Sequence, residues 1–248
     1  MINPGRWRSP LAALALSLLG GFSQFAMAAD LFDGTAARAF VSGEVLKPGS
    51  TVGGYPVYEG DGAWRILEVA KVTTNTMGVS YGSAVFEQFT DGVFLAHMVT
   101  SVNLNQSGQA FYTTGDNCGG VHQVRVNKAT AGRGDSAWDN CLTIDARDVK
   151  VQQKPVTVLH LKVTITREGS RYYQTDLFLN PMALGLENSQ PADWDVDALE
   201  ATPARKAMMG KIVAFGKQLQ SATEKAMEWS SPKDAFKDVG TLRSLKAD

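Results

Sequence analysis

Residues 154–166, KPVTVLHLKVTIT, alternate in character: Leu159, Leu161, Val163 and Ile165 fall on one side, Val158, His160, Lys162 and Thr164 on the other. Period two with one apolar face predicts a half-buried antiparallel strand. REGSR then supplies a glycine-containing turn, and YYQTDLFL a returning arm. A second hairpin is written in SAVFEQFTDGVFLAHMVTSVNL, where Asp91-Gly92 suits a two-residue turn that needs positive φ. WRILEVAKVT from Trp64, Phe111–Thr114, Val121–Asn127 and Cys141–Arg147 read as further strands. Residues 30–62 carry Pro48, Gly49, Gly53, Gly54 and Pro56 and read as a loop-rich segment with one short strand near Ala39–Leu46.

The period changes after Asn180-Pro181. PADWDVDALE suggests a short helix, and Thr202 followed by Pro203 is a helix start. Met208, Ile212, Phe215, Leu219, Ala222, Ala226 and Trp229 then recur at steps of four and three, a continuous apolar stripe ending before Ser230-Ser231-Pro232. Such a stripe is buried against another layer, here the sheet. The same spacing also fits self-association through Met208, Ile212, Phe215 and Leu219, although Gly210 and Gly216 weaken an isolated helix. A membrane-surface role ranks below both, because the helix's own polar face is only modestly basic. The expected fold is α+β: a mostly antiparallel sheet, curled or doubled into a sandwich, with a long C-terminal amphipathic helix packed on it. The organisation expected is a signal peptide over 1–28, a loop-rich segment over 29–62, an antiparallel β domain over 63–180 and a helical segment over 181–248 that packs on it.

The first 28 residues set the expected compartment. Arg6 and Arg8 precede an apolar run from Leu11 to Leu19, and Ala26-Met27-Ala28 offers small residues before Ala29, the order of a secretory signal peptide. The run is too short and too glycine-broken to span a bilayer. No cysteine follows it to accept a lipid. A bacterial periplasmic or secreted protein is expected, with about 220 residues after cleavage and no later membrane span. With 24 basic and 25 acidic residues, no basic run and no Arg/Lys stripe with interleaved aromatics, the sequence argues against a nucleic-acid partner.

Asp-Asn-Cys occurs twice, around the only two cysteines, Cys118 and Cys141. In an oxidising compartment an even pair becomes a disulfide, and Asp and Asn before each cysteine are turn formers. Closing this loop contributes about 3 kcal/mol by chain entropy. If Val121–Asn127 pairs with Cys141–Arg147 as a simple hairpin, Cys141 faces Asn127 and Cys118 lies past the strand's end. Either those strands do not pair directly, or the chain before them folds back to bring the α-carbons within about 7 Å. The competing use of the cysteines is a metal site with His122 and Asp116, but a lone C-x3-H is a weak signature.

Catalytic signatures are thin. His97, Asp116 and Ser136 follow the chain order of chymotrypsin-like serine proteases, but Ala137-Trp138 stand where Gly-Gly follows the nucleophile. The spacing is also too short for two barrels. There is no G-x-S-x-G elbow, no Walker loop and no dinucleotide fingerprint. No cofactor, resident metal or catalytic residue is assigned, and the chain is read as leaning away from enzymes. Gly62-Ala63-Trp64 at the head of the first strong strand resembles the G-x-W start of lipocalins, and Thr175-Asp176 is similar to their T-D motif. That resemblance implies an eight-stranded barrel around a small apolar ligand. The ligand-binding candidates are Trp64, from that resemblance, and His97 and His160, which could converge where the two hairpins are neighbours. The leading expectation is an exported, non-catalytic binding protein that contacts a protein or envelope component. A small-ligand carrier and a hydrolase with an unrecognised site are the alternatives.

Overall fold

The computed structural model describes residues 29–60, 62–73, 80–104, 118, 124–127, 130–131, 137–151, 153–167, 171–186, 189–228 and 233–247. The signal-peptide segment and Phe111–Thr114 lie outside them, as do Asp116, His122, Ser136 and Trp229. The chain is mostly antiparallel sheet with one long helix near its C-terminus.

Where one short strand was expected near Ala39–Leu46, the structure has two small hairpins, β1 (Phe32–Asp33) with β2 (Ala36–Ala37) and β3 (Thr51–Val52) with β4 (Tyr55–Pro56). The 39–46 stretch forms an isolated antiparallel bridge, Val45 to Arg65, flanked by backbone hydrogen bonds from the Gly43 amide to the Ile66 carbonyl, from the Ile66 amide to the Glu44 carbonyl and from the Leu46 amide to the Trp64 carbonyl. This segment is also more than a linker. Phe32, Val52, Val57 and Tyr58 are buried in the same core as the sheet and the helix, and the Tyr58 hydroxyl donates to the Gly240 carbonyl at 2.8 Å.

The large strands follow: β5 (Arg65–Thr73), β6 (Ser80–Thr90), β7 (Val93–Asn103), β8 (Val124–Asn127), the short pair β9 (Thr130–Ala131) and β10 (Ala137–Trp138), then β11 (Asn140–Val151), β12 (Lys154–Arg167) and β13 (Arg171–Leu179). Seven of them form one sheet in the order β5-β6-β7-β13-β12-β11-β8, every pairing antiparallel. Both expected hairpins are present. Asp91 and Gly92 turn β6 into β7 with φ of 51° and 77°, the doubly positive geometry that an Asp-Gly pair favours. Among the described residues the order ends at β5 and β8 and does not close on itself, unlike the closed barrel that the lipocalin resemblance implies.

Helix α1 (Val196–Ala201) leads into α2 (Pro203–Ala226), which is about 36 Å long at 1.5 Å per residue. Met208, Ile212, Phe215, Leu219, Ala222 and Ala226 are all buried, Ile212 and Leu219 completely. They meet the sheet face made by Leu142 and Ile144 of β11, Leu159, Leu161, Val163 and Ile165 of β12 and their neighbours. The stripe is thus covered within a single chain, and the self-association reading through Met208, Ile212, Phe215 and Leu219 has no outward apolar face to use. Gly216 explains how close the helix comes. A Cβ there would sit 2.8 Å from one Leu142 methyl and 3.0 Å from Leu161, so a larger residue would have to push these leucines aside. Gly210, by contrast, faces open space.

The periodicity did not show that the buried helix face also carries Gln220 and Thr223. Gln220 donates to the Asn140 carbonyl and to Asn140 Oδ1, at 3.2 and 2.8 Å. Asn140 Nδ2 and Arg167 both donate to Glu224 at 2.7 Å, and Arg171 donates to the Met227 carbonyl at the helix end. These bonds tie the last turns of α2 to the ends of β11, β12 and β13. Among the described residues no helix is long and apolar enough to cross a membrane.

Candidate functional site: the polar face of the sheet

The register assembles a row across six strands that no local pattern reveals. Arg65 pairs with Glu87, Glu87 with His97, His97 with Phe178, Phe178 with His160, and His160 with Asp145. All six side chains lie on the face opposite α2, because alternate residues of each strand point to opposite sides. The neighbouring row places Val85 against Val99, Val99 against Asp176 and Asp176 against Lys162.

His160 sits at the centre of a hydrogen-bonded chain. Its Nδ1 lies 3.0 Å from Asp145 Oδ1 and its Nε2 2.7 Å from Asp176 Oδ1. The second oxygen of each carboxylate is also engaged, Asp145 Oδ2 by Arg147 and Asp176 Oδ2 by the Gln174 amide. Tyr172 in turn donates to Gln174 at 2.6 Å. The ring of His160 stacks on Phe178 with centroids 4.5 Å apart and planes 7° from parallel. Burial pushes the Tyr172 phenol well above its usual range, and the Asp176 charge and Tyr81 push the same way. Tyr81 meets Tyr172 edge to face at 5.5 Å.

His97 is on the same row but two strands away, with Phe178 between the two histidines. The hairpins that carry them are neighbours, yet the rings do not converge on one point. His97 Nε2 is 3.6 Å from Glu87 Oε2, and its ring packs edge-on against Phe94. Burial holds its imidazole below the usual histidine range, with Glu87 opposing that shift.

Trp64, the third candidate, is absent from this face. It is 1 % exposed in the core, and its indole N–H donates to the Glu59 carbonyl at 2.9 Å. Trp64 is therefore sealed in the core, and α2 packs on the same core where a barrel would hold its ligand. Thr175 and Asp176 of the T-D pair point to opposite faces, with only Asp176 joining the polar chain.

Cys118 and Cys141 form a disulfide with α-carbons 5.9 Å apart. The register of β8 on β11 is the anticipated one, Cys141 opposite Asn127, so of the two possibilities the chain folds back to bring Cys118 in. The bond lies on the polar face, since Cys141 pairs with Thr164 beside the Gln174 position. Both sulfurs are bonded to each other, which removes the thiolates that a cysteine-based metal site needs. Among the described residues no group of three or more His, Cys, Asp and Glu side chains is arranged to hold a metal ion.

His160 and Asp176 each stand at alternating strand positions, but nothing in the sequence marks Asp145, His160 and Asp176 as a group. Their convergence follows from strand order, which local pattern leaves open. Comparison with protein-family models, curated proteins and solved structures finds no match to this chain.

Proposed function

We propose that the chain is an exported, non-catalytic binding protein of the bacterial envelope or secreted fraction, and that it recognises its partner with the polar face of the sheet. The observation that carries this reading is the saturation of His160. Both ring nitrogens and all four oxygens of its two carboxylate partners are engaged. A general base needs a free nitrogen within reach of a substrate proton, and this histidine offers none. What the network does supply is rigidity. It holds Phe178 by stacking and Tyr172 through Gln174, beside partly buried Val85, Val99 and Tyr81 and amid charged neighbours. Apolar and tyrosine groups inside a polar rim suit a protein or surface partner. The disulfide supports export, being the form a cysteine pair takes in an oxidising compartment. We also take the sheet to be curled: register shifts at Ile66/Glu68 in β5 and Gln88/Phe89 in β6 are bulges of the kind that bend and twist strands.

The test is photo-crosslinking in cells that export the protein, with a benzophenone amino acid at Ser101 on the polar face or at exposed Lys150 off it. A discrete adduct from Ser101 and none from Lys150 is expected. The same adduct from both positions, or turnover of a chromogenic ester by the purified protein, would overturn the reading.

A further inference from the structure

Charge is unevenly distributed along this chain. The whole chain holds 24 basic and 25 acidic residues, but residues 203–247 hold nine basic and four acidic ones. Fifteen basic and 21 acidic residues are left for everything else. No linear run reveals this, because the excess is spread over α2 and the segment that follows it. The fold gathers it. Lys211 Nζ donates to the Lys246 carbonyl at 2.8 Å, and the Gly240 amide donates to Gln218 at 2.9 Å, so the C-terminal segment lies along the flank of α2. Lys217, Lys225, Lys233, Arg243 and Lys246 are exposed in this segment, as are Glu228, Asp234 and Asp238, while Arg205, Lys206 and Lys237 pair with Asp193, Glu200 and Asp234.

The shape of this side narrows what it fits. The apolar stripe of α2 faces the core, and the outward line of the helix carries Ala207, Gly210 and Ala214. Small residues give no aromatic or aliphatic anchor of the kind that dominates protein interfaces. The cations are mainly lysines, point charges that suit a diffuse anionic surface better than the paired geometry that arginine recognises. We propose that this side of the molecule docks on an anionic phospholipid bilayer, held by charge and without insertion. The contact is made by the face opposite the one expected of an amphipathic membrane helix, whose apolar side would enter the lipid. It is also separate from the polar face of the sheet.

The experiment is vesicle co-sedimentation of the signal-free protein, using phosphatidylcholine vesicles with and without phosphatidylglycerol. Binding is expected only with phosphatidylglycerol, falling as salt shortens the Debye length below about 10 Å. Lys217→Glu with Lys225→Glu should weaken it about tenfold or more, while Lys150→Glu on β11 leaves it unchanged. Circular dichroism checks that each variant is folded. No binding to anionic vesicles, equal binding to both vesicle types, or an equal loss with Lys150→Glu would overturn the proposal. So would capture of an acidic protein by these lysines while vesicles are ignored.

Discussion

On β12 the side chains of Leu159, Leu161, Val163 and Ile165 turn toward α2, while His160 and Lys162 turn away toward their cross-strand partners on β11 and β13. The first set is held by shape. Gly216 lets the helix approach until Leu142 and Leu161 touch its backbone, and the aliphatic side chains fill the space between. The second set is held by donor and acceptor matching, each oxygen of Asp145 and Asp176 facing a nitrogen. A face held by shape tolerates little change in volume, whereas one held by hydrogen bonds tolerates little change in chemistry. The stability of the molecule therefore resides mainly beneath the helix, and the recognition chemistry we propose lies opposite.

Substitutions that treat the two faces alike sharpen this contrast. Leu161→Ala on the covered face should cost about 2–5 kcal/mol by leaving a cavity, and Val99→Ala on the polar face about 1 kcal/mol or less. Equal losses in urea titration would erase the distinction. Replacing Cys118 and Cys141 by serine frees a loop of 23 residues in separation and should cost about 3 kcal/mol, with the same chemical denaturation as readout. His160→Ala leaves two half-buried carboxylates without the ring that bridges them. A loss of about 1–3 kcal/mol is expected, and Asp176→Asn on that background should recover part of it. No recovery in the double-mutant comparison would mean that the ring acts only by packing on Phe178.

The smallest effect is a pH dependence that the two faces share. Tyr172 and Tyr173 are adjacent on β13 but point to opposite sides, and burial raises the phenol of each above its ordinary value of 10.0. Their un-ionised forms are thus favoured in the folded state. The contribution is fully present below the unfolded value and is lost as pH climbs from there toward the folded one. Alkaline melting curves should fall above about pH 10. Tyr173→Phe should flatten that fall more than Tyr172→Phe, because Tyr173 is wholly buried.

Much of the covered face was legible from the sequence, since periods of two and 3.6 report directly on burial. The stripe from Met208 to Ala226 and the run from Leu159 to Ile165 were readable for that reason. Gly216 was readable only as a helix weakener, because its use depends on what lies 3 Å away in another element. The polar face was almost illegible. His97 and His160 stood out as single residues, but the row from Arg65 to Asp145 exists only once six strands are ordered. Trp64 misled because a strand-opening tryptophan looks the same in sequence whether it lines a ligand cavity or seals a core. The proposed basic side was hidden for a related reason: the sequence does not show that the C-terminal segment lies against α2.

The most direct test of the division between the faces is to make Val99→Arg and measure two quantities on one preparation, the melting temperature and the yield of the photo-adduct from Ser101. The account predicts an adduct lost or reduced to a small fraction while the melting temperature stays within a few degrees of the parent. An adduct that survives unchanged, or a collapse in melting temperature comparable to that of Leu161→Ala, would contradict it.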